Sequence, residues 1–387
     1  MAKRQRISPL LRERVLQFYG GACVLTNAPI SGSDLHHLDE NNANSVFENL
    51  IPLSAELNEA IERNKHGLHA AHPRLSPEAI SSEAGNRYDN NQFQQAYACN
   101  RLGAFLCKQQ YSQPDMALKF SARALHSVRA INNLALAEDA IRRTIIPILI
   151  DERDTLDWEG KALLALELGS YFRDYGRLRE AGNWLDICEN LIDRERRDSP
   201  LAREIRFRKC QHNMFVAILL NDPLSVDYWM RRQRETRYSY TFGETNSLFW
   251  RAHFQYRQGR LEEALDLLKN IERYGPLFPK SPEGSAGRVP TRINGWTYGQ
   301  SKVLLGDIYR KLGGKRNESL ANDIGFDAFA YFRERRIVPT RVINSPLLER
   351  IERRMQPQLK LTQRDPRLIG QLAALSREVA RHLELER

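Results

Sequence analysis

Residues 34 to 62 hold the side chains of this chain best suited to cutting a phosphodiester bond. The run Asp34-Leu35-His36-His37-Leu38-Asp39 supplies paired imidazoles. Glu48-Asn49-Leu50-Ile51-Pro52-Leu53 follows after a polar stretch from Asp39 to Ser45, and Leu57-Asn58-Glu59-Ala60-Ile61 comes next. A neutral imidazole is the right general base for activating water near pH 7. A neighbouring set of oxygen and nitrogen donors can hold a hard divalent ion against a scissile phosphate, where it stabilises developing charge and the leaving oxygen. Paired histidines, an asparagine about a dozen residues on and a polar ligand on a following helix supply those parts in order.

The elements that would position them are short. Ser8-Pro9-Leu10 through Tyr19-Gly20-Gly21 predicts a helix, with Ser8 as N-cap, Pro9 at the first helical position and the glycine pair as the stop. Over roughly residues 8 to 66 the chain resembles the HNH endonuclease family, whose ββα-metal fold carries its site on a hairpin and the helix behind it. The resemblance implies that Cys23-Val24-Leu25-Thr26 is the first hairpin strand and that His37 is the general base. It implies further that Asn49 orients the base, that His36 is a metal ligand and that the family's final metal-binding histidine falls on Asn58. An active-site histidine of so small a hairpin is expected to be partly exposed.

Asn58 departs from the family pattern. An amide oxygen suits magnesium or manganese and binds zinc or nickel less well than imidazole does, so a single Mg2+ or Mn2+ ion is the expected cofactor. Glu62 lies four residues on, on the same helical face, and is either a further ligand, direct or through water, or a surface charge. The structural zinc of many family members is not expected, because Thr26, Ser54 and Leu57 stand where the partners of Cys23 would be. Packing of Leu25, Leu35, Leu38, Leu50, Ile51, Leu53, Leu57 and Ile61 must hold the hairpin instead. His66, His69 and His72 recur every three residues, but Gly67 and Pro73 argue against a long helix there and favour a solvated stretch over a metal site.

The 387 residues suffice for two or three domains, and 42% hydrophobic residues permit substantial cores. With 27% charged residues and no apolar run of membrane-spanning length, the expectation is a soluble cytoplasmic protein with no membrane partner and no secretion signal. Cys23, Cys99, Cys107, Cys188 and Cys210, odd in number and without paired ligand spacing, read as reduced thiols. The net charge of +10 is uneven, with nine Lys/Arg against eleven Asp/Glu in residues 1 to 90 and 49 against 37 beyond. Phosphate neutralisation supplies most non-specific nucleic-acid affinity, so the larger C-terminal part is the better candidate for recruiting substrate. Arg206, Arg208 and Lys209, then Arg231, Arg232 and Arg234, with Tyr228 and Trp229 interleaved, form the candidate surface. Solvated helix faces and core aromatics are the alternative for any one of these clusters.

Residues 73 to 92, with two prolines, Ser81, Ser82 and Gly85, read as a linker. Beyond them the apolar spacing is helical and no strand is expected. Leu168-Gly169-x-x-Phe172 with Gly176-Arg177 and Glu180-Ala181 recurs as Ala252-x-x-Gln255 with Gly259-Arg260 and Glu263-Ala264. It recurs more weakly at Leu305-Gly306-x-x-Tyr309 and Leu102-Gly103. This resembles a degenerate tetratricopeptide repeat over residues 93 to 344, which implies a curved array of helix pairs with a partner-binding inner face. A Gly- and Pro-rich stretch from Tyr274 to Asn294 interrupts it. Residues 345 to 387 read as two helices, Pro346 to Met355 and Asp365 to Leu385, the second with an apolar stripe that either caps the array or mediates self-association.

The expected class is therefore mainly α, with a small ββα-metal domain over residues 1 to 72 and a helical repeat domain. The leading expectation is a metal-dependent endonuclease acting on DNA, or on RNA, whose helical part recruits substrate, docks a protein partner or senses a trigger. A small nuclease on a large repeat domain resembles bacterial and phage-defence effectors. The alternative is a helical scaffold whose nuclease-like module binds nucleic acid or a protein without cutting.

Overall fold

A computed structural model describes residues 7–30, 35–38, 45–65, 72–90, 92–131, 133–152, 155–195, 199–236, 243–272, 295–335, 347, 350, 351 and 366–384. The described chain is mainly α-helical with one two-stranded sheet, and it divides into two compact units, residues 1–167 with 363–387, and residues 168–362.

The first unit opens with α1 (Pro9–Tyr19), whose ends follow the sequence expectation. Ser8 Oγ accepts from the Leu11 amide at 3.2 Å, Pro9 sits in the first turn where no amide partner is needed, and Gly20 adopts φ 78° at the stop. Residues 23–26 differ from the expected strand. They form a turn bracketed by an Ala22–Pro29 bridge, with the Asn27 amide on the Cys23 carbonyl and Asn27 at φ 59°. The strands are β1 (Leu35–His37) and β2 (Leu50–Pro52), antiparallel with His36 opposite Ile51 and His37 opposite Leu50. Helix α2 (Ala55–Lys65) follows directly, and the eight apolar residues named for this core are all buried.

Residues 73–92 are not a linker. A 3-10 turn (Pro73–Leu75) leads into α3 (Pro77–Asp89), capped by Ser76 on the Ala79 amide and burying Ile80, Ala84 and Arg87. Helix α3 packs on α4 (Phe93–Gln109), which pairs with α5 (Pro114–Ile131). Gly103 makes that pairing close, since a Cβ there would stand 2.7 Å from the Phe120 ring. Next come α6 (Leu134–Ala140), a π turn (Ile141–Ile145) and α7 (Ile146–Asp151). Pro147 accounts for the π turn: it has no N–H, and its ring would meet the carbonyl four residues back, so the ladder slips by one. The last helix, α16 (Pro366–Glu384), lays its apolar stripe on α6 and α7. Its stripe is thus used inside the first unit.

Helix α8 (Trp158–Asp174) contributes its second half to the second unit, followed by α9 (Leu178–Glu195), α10 (Pro200–Leu220), α11 (Pro223–Glu235), α12 (Gly243–Arg257), α13 (Leu261–Glu272), α14 (Gly295–Leu312) and α15 (Lys315–Arg335). The recurrent Gly-Arg pairs mark equivalent turns. Gly176 has φ 73° and Gly259 φ 76°, the following arginine amide reaches back to Phe172 or Gln255 at 2.9 Å in each, and Ala181 or Ala264 closes the first turn of the next helix. Only glycine enters that backbone region without cost, which is why the pattern is visible in sequence. Met214, Phe215, Trp250, Leu268, Leu305 and Ile324 belong to the shared core. Beyond residue 90 no strand occurs among the described residues. The stretch from 274 to 294 and most of the expected helix 346–355 lie outside them.

Candidate functional site

The hairpin and α2 carry the residues singled out for chemistry. Strand alternation sends the His36 and His37 rings to opposite faces. The contacts agree: the His36 ring meets the edge of Phe105 on α4 at 5.8 Å between centroids, whereas His37 Nε2 lies 3.1 Å from Ser45 Oγ. Asn49 ends a 3-10 turn (Phe47–Asn49) just before β2, and its carbonyl accepts from the Leu38 amide at 2.9 Å. That bond extends the hairpin by one step and fixes Asn49 beside the end of β1. The three residues are well covered, at 7%, 9% and 3% exposure for His36, His37 and Asn49. His37 is therefore not the partly exposed side chain expected of so small a hairpin; α1 packs on β2, and Phe105 of α4 covers the His36 ring.

Asn58 and Glu62 are separated by one turn of α2, on one face beside the buried Leu57 and Ile61. Asn58 is half-buried and Glu62 is exposed. The amide oxygen of Asn58 and the carboxylate of Glu62 are donors of the type that suits magnesium or manganese. Among the described residues no three His, Cys, Asp or Glu side chains converge. His66 and His69 lie outside the described residues. His72 caps the 3-10 turn, its Nδ1 accepting from the Arg74 amide and its Nε2 donating to Glu56 on α2 at 3.0 Å. A metal role is thus replaced by a contact that ties the connection back to α2.

The turn at residues 23–27 is fastened by protein contacts. The Val24 amide donates to the Pro52 carbonyl at 3.1 Å, the Cys99 thiol donates to the Val24 carbonyl at 3.3 Å, and Arg87 Nη1 donates to Asn27 Oδ1 at 3.1 Å. Burial pushes the Cys99 thiol well up, which keeps it a proton donor.

Of the cations expected to touch nucleic acid, Lys209 and Arg208 are taken up by acidic partners. Lys209 is buried, paired with Glu189, and sits 4.9 Å over the Trp229 ring. Arg208 is mostly covered and pairs with Glu204 at 3.6 Å. Arg206 is half-buried and lines a groove in which it, Lys209 and Arg232 face Glu189, Asp193 and Glu235, so its charge is balanced locally. Arg231, Arg232 and Arg234 are exposed on α11 near the exposed Tyr228, with Arg232 drawn to Glu235 at 3.0 Å.

Two further features emerge only in the folded chain. Ser45 is the first; in sequence it belongs to a stretch that is simply polar. The second is a serine–histidine contact in the second unit, Ser170 Oγ to His212 Nε2 at 2.9 Å, which has the look of a nucleophile and its base. The Arg173 guanidinium contacts His212 Nδ1 and has no acceptor to offer. Nδ1 therefore accepts, Nε2 carries the proton, and the imidazole donates to Ser170 instead of activating it. With both residues buried, the pair is structural.

No helix among the described residues is long and apolar enough to cross a membrane. No family model matches the chain, and neither curated proteins nor solved structures give a match.

Proposed function

We propose that the chain is a metal-dependent endonuclease of the HNH type, its first 72 residues a ββα-metal module and its helix pairs a degenerate tetratricopeptide-like array. The observation that supports this reading best is the hairpin itself: His36-His37 close the first strand, Asn49 is stapled to the residue after them, and Asn58 stands on the helix that follows. In this reading His37 takes a proton from water, Asn49 fixes the geometry of the base, and His36 with Asn58, and Glu62 directly or through water, would hold a magnesium or manganese ion. When bound, that ion supplies charge stabilisation at the scissile phosphate and leaving oxygen. The substrate is DNA, with RNA the other polymer open to the same chemistry. A role in defence against phage is the biological setting that the combination of modules suggests.

The deep burial of His37 favours a second reading, a module that binds nucleic acid or a protein without cutting. Incubating the full-length protein with supercoiled plasmid under magnesium, manganese or EDTA separates the two. Metal-dependent nicking supports the endonuclease; an intact plasmid under all conditions supports the scaffold.

Asn58→His tests the metal assignment. The variant is expected to keep or raise cutting and to extend it to nickel, cobalt or zinc, because imidazole is the better ligand for those ions. A metal-soaked crystal with Asn58 turned away from the ion would remove this residue from the set. The substrate surface is tested on α11. Replacing Arg231, Arg232 and Arg234 together by alanine is expected to weaken binding of a DNA duplex and to flatten its dependence on salt, by roughly 0.9 in the log–log slope for each phosphate that is no longer neutralised. A triple variant with an unchanged salt slope would place the recruiting surface elsewhere.

A further inference from the structure

We infer that the groove between α9, α10 and α11 captures an unpaired nucleobase bearing an amino group, which makes the helical part a binder of single-stranded nucleic acid; this rests on the proposed recruitment of nucleic acid and not on cutting.

One face of α11 turns to this groove. Trp229, Arg232 and Thr236 recur along it at helical spacing, and Glu189 and Asp193, four residues apart on α9, belong to the other wall. The space between them is about 170 Å³, where about 150 Å³ suffices for a benzene-sized ring. One base fits against Trp229; a duplex does not enter.

The charges in the groove choose between the parts of a nucleotide. Lys209 is already paired with Glu189, and Arg232 with Glu235 at 3.0 Å, so these cations have little left for a phosphate. Asp193 is exposed and pairs with no cation among the described residues, which leaves a carboxylate that repels phosphate and accepts from N–H groups. The Arg232–Glu235 pair is exposed on both sides and weakly held, so Glu235 can open to accept as well. An exocyclic amino group, such as N4 of cytosine, supplies the donors. Thymine has an acceptor, O4, in its place and is rejected.

Outside the groove the balance reverses. Arg231 and Arg234 are exposed and no carboxylate pairs with either among the described residues, so phosphates beside a captured base meet cations. Tyr228 is 48% exposed, its ring at 77° to that of Trp229 with centroids 4.9 Å apart, and it offers the next base a surface to stack on. Cations outside and acceptors inside suit a single strand, whose bases are free to turn inward.

The test is binding by the full-length protein in EDTA, read by fluorescence anisotropy with labelled DNA of about 16 nucleotides. The probes are a cytosine-containing single strand, that strand annealed to its complement, and the strand with thymine in place of cytosine. The cytosine strand is expected to bind about tenfold more tightly than either of the others, the low end of what one stacked base or one base-edge contact contributes. Trp229→Ala should erase the advantage over the duplex while the duplex affinity stays as it was, and Trp229→Phe should keep most of it. Asp193→Ala, at an exposed position, should erase the preference for cytosine over thymine. A Trp229→Ala chain that also loses the duplex has lost its fold, and Asp193→Ala then decides. A duplex or a thymine strand bound as tightly as the cytosine strand, a single-strand advantage that survives Trp229→Ala, or a cytosine preference that survives Asp193→Ala would each overturn the inference and leave nucleic-acid recruitment standing. Wild-type protein that binds neither strand nor duplex overturns recruitment itself, and the groove's role with it.

Discussion

His37→Ala is expected to lower the nicking rate by about 100- to 10,000-fold, the usual cost of removing a general base. The acid limb of the pH profile should vanish with it, since the group that titrates is gone. The buried position makes a folding control necessary. Truncating a side chain at 9% exposure also deletes the bond to Ser45, so a stability loss of about 1 to 3 kcal/mol accompanies the chemical effect. The two separate cleanly: a circular-dichroism melt reports the folded fraction at the assay temperature, and the rate is corrected for it. A corrected rate within tenfold of the wild type would move the base to another residue. His72 is the nearest described alternative in sequence, but its two ring nitrogens are engaged with Glu56 and Arg74.

Elements governed by local rules are legible in the residues. Ser8 and Pro9 start α1 and Gly20 stops it, because capping acts over three or four residues; the hairpin core from Leu25 to Ile61 is buried because apolar spacing decides which face turns inward. The departures have physical causes. The strand that the resemblance implied over Cys23-Val24-Leu25-Thr26 is absent because Asn27 in the left-handed region and Pro29 after it bend the chain into a turn that long-range bonds from Pro52, Arg87 and Cys99 then hold. Pro73 and Pro77 look like breakers, although each follows a capping residue, His72 or Ser76, and sits where proline starts a helix.

The basic cluster on α10 misleads for a different reason. Ala202, Ile205, Lys209 and His212 recur at three- and four-residue spacing, so Lys209 shares the buried stripe of the helix and must bring Glu189 with it. Composition suggests a phosphate contact where periodicity indicates a core position. Ser45 is beyond reach of either rule. Nothing in a polar stretch says which hydroxyl will meet an imidazole eight residues back; only the closure of the hairpin by Leu38 and Asn49 decides it.

Asp139→Ala is expected to destabilise the first unit by about 3 to 5 kcal/mol, the cost of leaving a buried charge without its partner. Arg101 on α4 is buried, and its Nη2 donates to Asp139 Oδ2 at 2.9 Å, while Arg143 approaches the other carboxylate oxygen at 2.8 Å. Arg143 is half exposed and can turn to water; Arg101 cannot. The phenols of Tyr19 and Tyr97 nearby are pushed up by burial and stay protonated, so they offer it no charge. The consequence reaches the candidate site, because Phe105, which packs on the His36 ring, is one turn beyond Arg101 on the same helix. A loss of that size should lower the unit's thermal midpoint by roughly 10 °C. Replacing both partners by apolar residues, Arg101→Met with Asp139→Leu, should recover most of the loss, because neither charge then needs a partner. A calorimetric melt of the two variants beside the wild type checks both statements. A single variant that melts with the wild type would mean that the pair is reached by water and adds nothing, and a double variant no better than the single would mean that packing around α4, and not charge, sets the stability of the hairpin's support.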